Sequence, residues 1–143
     1  MSTSQIPDLW SSSISPVVAT PLALLRSQAV QLSNHTGGIV RADVVTASAK
    51  GSSREHCLVI SAPALDFKQE IVKVVHDVPI VYPCSVYAEE FEDDSREPYW
   101  VASSPESVIS ALGQVLQSDR IVALINSLVA VSNEEEPTDS AVK

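Results

Sequence analysis

The sequence predicts an α+β domain: a four-stranded antiparallel sheet packed with three helices, in the order α-β-β-β-β-α-α. Three observations carry this reading. Apolar residues recur at helical spacing near the start of the chain and twice near its end. The segments between them alternate or are rich in β-branched residues. Proline, glycine and serine fall at the joints.

The first helix is "TPLALLRSQAVQLSNHTGG". Thr20 caps it, and Pro21 suits the first helical position, where its missing N–H has no partner to lose. Leu22, Leu25, Ala29 and Leu32 share one face, and Gly37 and Gly38 supply the positive φ that ends helices. In "GIVRADVVTASA" Val40, Ala42 and Val44 alternate with Arg41 and Asp43. A "KGSS" turn leads back through "REHCLVISA", where His56, Leu58 and Ile60 oppose Cys57 and Val59. "KQEIVKVVHD" and "IVYPCSVY" supply the third and fourth strands. Pro83 cannot donate a ladder hydrogen bond and is expected at an edge or a bulge. "SSPESVISALGQVLQ" and "SDRIVALINSLVAVS" are helices capped by Ser104 and Ser118. Residues 1–15 are expected to be flexible, 16–132 to form the domain, and 133–143 to be a disordered acidic tail.

The formal net charge is −9, and it is unevenly placed. The run 89–97, "EEFEDDSRE", carries six acids and one arginine, and "EEEPTDSAVK" at the end carries four acids and one lysine. The remainder is almost neutral, so nucleic-acid binding lacks its main driving term and no nucleic-acid partner is expected. No apolar run approaches the roughly 20 residues that span a bilayer, and the first residues lack the basic start of a secretory signal. A cytoplasmic protein without a membrane partner is expected. Two cysteines, Cys57 and Cys84, are too few for a disulfide scaffold and read as reduced, mostly buried side chains.

Alternation along a strand argues against a reaction site. His56 and Cys57 point to opposite faces, as do His76 and Asp77, so neither pair grips one metal. Glu55 and Cys57 have the i, i+2 spacing, but no histidine completes a site. If Val78 and Pro79 form a two-residue loop, His76 faces Val81 and Lys73 faces Cys84. Cys84 then lies with Ile71, Val75, Ile80, Tyr82 and Val86 on the core face, away from His76. His35 suits the negative end of the first helix. No serine sits in GxSxG, the glycines build no phosphate loop, and "EEFEDD" lacks the layout of a calcium loop. No catalytic residue, metal or cofactor is therefore assigned.

The second face of the sheet remains, carrying Val72, Val74, His76, Val81, Pro83 and Tyr87. A face this apolar is covered by helices or meets another molecule. Those six residues are the expected partner-binding surface, with a homodimer as the expected assembly and a protein, basic in one reading, as the further partner. The blocks "TPLALLRSQAVQLSNHTGGIV", "LVISAPALDF" and "VVHDVPIVYPCSV" resemble a set of small bacterial proteins without assigned activity, over residues 20–87. In architecture alone the chain also resembles small, acidic, dimeric type III secretion chaperones, which set helices on a twisted antiparallel sheet. That family usually inserts a helix between its third and fourth strands, where this chain has only the "VPI" turn. The expected function is a non-enzymatic protein-binding module: an adaptor, a chaperone-like protein or an immunity-type factor. The alternative is a small enzyme or small-molecule binder, with a pocket between sheet and helices lined by His56, His76, Asp77, Tyr82 and Cys84.

Overall fold

The computed structural model describes residues 7–12, 19–48, 51–88 and 100–135. Helix α1 (Pro21–Thr36) leads into strands β1 (Arg41–Ser48), β2 (Ser53–Ala62), β3 (Phe67–Asp77), β4 (Cys84–Tyr87) and β5 (Trp100–Ala102), followed by helices α2 (Pro105–Leu116) and α3 (Asp119–Glu135). The strands form one antiparallel sheet in the order β1-β2-β3-β4-β5, with every neighbour in the sheet also a neighbour in sequence. Among the described residues the architecture is α+β with three helices, as expected, but the sheet has five strands rather than four. The fifth, Trp100–Ala102, pairs with Cys84–Val86.

Each helix starts where its cap dictates. Thr20 Oγ1 accepts the amide of Ala23 at 3.2 Å, Ser104 Oγ that of Ser107 at 3.2 Å, and Ser118 Oγ that of Ile121 at 3.3 Å. Gly37, at φ 64°, closes α1 in the left-handed region. The expected N-terminal segment is described only at 7–12, where Trp10 is 79 % exposed and its amide donates to Asp8. Residues 1–6 and 13–15 of that segment lie outside the described residues, as do the acidic run 89–97 and residues 136–143. Helix α3 continues past the expected end of the domain, to Glu135.

One irregularity in β3 decides which side chains meet the helices. Leu58 pairs with Val72 and Val59 with Glu70, so Ile71 is an extra residue opposite the β2 ladder. Ile71 and Val72 both point inward, 4 % and 1 % exposed, and Val74 follows at 0 %. On β4 the register sets Val74 against Val86 and Val75 against Ser85. The connection between the strands is not the two-residue Val78–Pro79 loop but the whole segment 78–83, so the expected faces exchange on β3 from Val72 onward, while Ile71, Cys84 and Val86 lie in the core as expected. Val72 and Val74 lie under the helices, Val75 lies on the opposite face, and Lys73 stands opposite Cys57 and Tyr87 rather than Cys84. Pro83 precedes β4, which is an interior strand and not an edge.

The core lies between that inner face and the helices. Leu58, Ile60 and Ala62 of β2 and Val86 of β4 meet Leu25 of α1, Val108, Leu112 and Val115 of α2, and Ile121 and Leu128 of α3. Replacing Ile60, fully buried, with alanine should lower the unfolding free energy by about 2–5 kcal/mol in urea titrations. The exposed Ile80→Ala should change it by less than about 0.5 kcal/mol.

Candidate functional site

All three helices share one face of the sheet, and among the described residues no element covers the other. Strand alternation and register place on that open face Val45 and Ala47 of β1, Cys57 and Val59 of β2, Val75 of β3, Ser85 and Tyr87 of β4, and Val101 of β5. Val45 is 54 % and Val101 65 % exposed. Charges of both signs are interleaved with these apolar residues: Lys73 stands between Cys57 and Tyr87, Glu55 between Ala47 and Val75, and Glu70 beside Val59, with Arg41, Asp43 and Lys68 toward one end and Asp77 at the rim. Lys73 Nζ lies 3.9 Å from Glu55 Oε1 and 5.7 Å from the centre of the Tyr87 ring. The face is therefore almost neutral on a chain of net charge −9.

The expected partner surface is divided by this geometry. Val72 and Val74 are core residues and unavailable to a partner, and His76 lies on the helix-covered side. Val81 and Pro83 belong to the 78–83 connection, and of the six only Tyr87 is on the open face. The residues missed were Val45, Val59, Val75 and Val101. Their alternation is legible within each strand, but which side is open depends on the register between strands.

The two histidines come together, although alternation had been expected to scatter them. His76 pairs across the sheet with Arg54, one step diagonal from His56 on the same face. Thr46 Oγ1 and His56 Nδ1 are 2.8 Å apart, the two Nε2 atoms are 2.8 Å apart, and His76 Nδ1 is 2.8 Å from the Asp77 carbonyl. A carbonyl can only accept, so His76 Nδ1 carries a hydrogen and the neutral His76 Nε2 accepts. His56 Nε2–H then donates to it, and His56 Nδ1 accepts from Thr46. Adding a proton to both rings would set two N–H groups head to head. Burial, first, and then His76, Arg26 and Arg54 push the His56 pKa below 6.5.

The remaining polar candidates do not converge. Asp77 accepts a hydrogen bond from Ser53 Oγ at 3.0 Å, on the opposite face from His76. Tyr82 O–H donates to the Ala19 carbonyl at 2.8 Å, tying the 78–83 connection to the start of α1. Cys84 is buried in the core, and burial raises its thiol pKa to about 11. Cys57 is also pushed up to about 11, by burial and by Glu70. Among the described residues no three His, Cys, Asp or Glu side chains are grouped to hold a metal ion. No single described helix is long and apolar enough to cross a membrane; α2 and α3 together have the length but bend by 60° between them.

A cleft of about 430 Å³ opens between α1, α2, α3 and the inner sheet face. Leu58 and Ile71 are part of its floor, Leu24 and Leu32 of its α1 wall, Leu112, Gly113 and Leu116 of its α2 wall, and Ile121 and Ile125 come from α3. Gln28, Gln31, His35 and Gln117 are its polar members. None of His56, His76, Asp77, Tyr82 and Cys84 lines it, so the pocket expected between sheet and helices is present with a different lining. No family model, curated protein or solved structure matches the chain.

His56 favours its neutral form when folded, so it contributes stability that is present above pH 6.5 and lost as pH falls from there toward the lowered folded-state value. Urea midpoints of the wild type should fall between about pH 7 and 5, and those of His56→Gln should fall less over the same window. At neutral pH both thiols of the folded protein should react with a mild disulfide reagent about a hundredfold more slowly than free cysteine, and at the free rate in denaturant.

Proposed function

We propose that the chain is a non-enzymatic protein-binding module, of the adaptor, chaperone-like or immunity type, whose docking surface is the open face of the sheet. The observation that carries this reading is the combination on that uncovered face of five large apolar residues, Val45, Val59, Val75, Tyr87 and Val101, with interleaved charges that nearly cancel. An apolar face left in water costs free energy that association recovers.

The occupant is a second copy of the chain. Two molecules of net charge −9 repel at long range, and a nearly neutral face lets them meet. The bases Arg41, Lys68 and Lys73 and the acids Asp43, Glu55 and Glu70 are interspersed there, so each copy offers the other both signs. Face-to-face packing at the usual sheet separation of about 10 Å would enclose the valines of both copies. The acidic segments 89–97 and 134–143 then carry most of the charge of the assembly and raise the association rate of a further, basic protein. Two free thiols on opposite faces of the sheet fit a reducing compartment, and we place the module in the cytoplasm on that ground.

A catalytic role has less support, because only the two histidines meet among the candidate reactive groups, and they lie outside the cleft.

Light scattering at tens of micromolar should give twice the chain mass of 15.3 kDa. Val45→Glu and Val101→Glu, at exposed positions that leave the core intact, should each weaken dimerisation by about tenfold or more. A wild-type monomer at that concentration would remove the reading, as would a dimer indifferent to both substitutions.

A further inference from the structure

We propose that the cleft between the helices and the inner face of the sheet is a binding site for an uncharged, elongated apolar molecule with one hydrogen-bonding end, of the class of a long-chain alcohol, ester or primary amide. Its volume, about 430 Å³, falls within the range of small-molecule sites. Its walls set the chemistry. The lining at Leu58, Ile71 and Leu112 is buried hydrocarbon, and among the described residues no Asp, Glu, Lys or Arg lines the cleft, His35 being its titratable member. A cation would leave water without a counter-charge, and a carboxylate would meet His35 in place of a lysine or arginine, so a neutral ligand costs least to bury. The amides of Gln28, Gln31 and Gln117 can donate and accept, which suits a single neutral polar end.

Gly113 supplies an independent observation. It stands in the interior of α2, where glycine is a poorer helix former than any residue but proline. Its φ is not in the left-handed region, and an added Cβ would meet nothing nearer than Gln117 Nε2 at 3.9 Å. Neither backbone conformation nor close packing calls for glycine there. What the missing side chain does is leave the α2 wall of the cleft open. Ile109, one turn earlier on the same wall, is 55 % exposed, so the cleft has an apolar lip. The site is on the opposite side of the sheet from the docking face, so it can be tested independently of dimerisation.

The experiment is a titration of the full chain with Nile red, a neutral apolar dye, followed by displacement with dodecanol, dodecanoate and dodecyltrimethylammonium. The dye should bind saturably, one per chain, and dodecanol should displace it at a concentration about tenfold or more below either ion. Gly113→Leu, which fills the cleft, should weaken dye binding about tenfold or more without lowering the urea midpoint. Ile109→Arg changes an exposed position and places a charge at the lip, and it should weaken binding even if Gly113→Leu folds poorly. Absence of saturable binding would overturn the proposal. So would unchanged affinity in Ile109→Arg together with a folded Gly113→Leu, or displacement by the ions as effective as by dodecanol.

Discussion

The structure depends on the register of β3 against its neighbours. Pleating sends successive side chains to opposite faces, so any change of register exchanges the buried and exposed sets. The extra residue at Ile71 lets Ile71 and Val72 both enter the core, while Glu70 and Lys73 on either side point outward. Val74 and His76 are thereby committed to the helix-covered side and Val75 to the open one. The same setting brings His76 diagonally beside His56 and turns Lys73 toward Glu55 and Tyr87.

From this follows a molecule whose two sides do different things. The inner side is packed by α1, α2 and α3, yet not to completion, since the α1 and α2 walls leave the cleft. The outer side has the inverse character, half-exposed apolar residues interleaved with charges of both signs. The histidine pair crosses three strands near one end of the sheet and satisfies its own hydrogen bonds from Thr46 to the Asp77 carbonyl. It reads as a polar brace for that end, and burial, followed by His76 and the nearby arginines, favours the neutral form of His56. Reactive groups elsewhere are held quiet in a similar way: Cys84 by burial, Cys57 by burial and Glu70.

Local chemistry made much of the fold legible in the sequence. Thr20, Ser104 and Ser118 mark the helix starts, each by a side-chain oxygen that accepts an amide three residues on. The β1–β2 hairpin was readable because its alternation and turn residues lie within one short stretch. Three things were not legible, and each for a non-local reason. The β3–β4 connection runs from Val78 to Pro83, and nothing in the hydrophobic pattern distinguishes it from a two-residue loop followed by a longer strand. Strand β5 is three residues long and gains its identity only by pairing with Cys84–Val86. The meeting of His56 and His76 is a diagonal contact that exists in one register and not in the next. Of the surface expected to bind a partner, Tyr87 alone lies on the open face, because the parity of one connection governed the rest.

In the proposed dimer the open sheet faces of two copies touch. An isotope-filtered nuclear Overhauser measurement on a mixture of labelled and unlabelled chains tests this directly, since it records only contacts between molecules. Docking through the open face predicts intermolecular signals from the methyl groups of Val45, Val59, Val75 and Val101. Signals confined to the exposed valines of α3, Val122 and Val131, or none at all under conditions where the chain is dimeric, would contradict it.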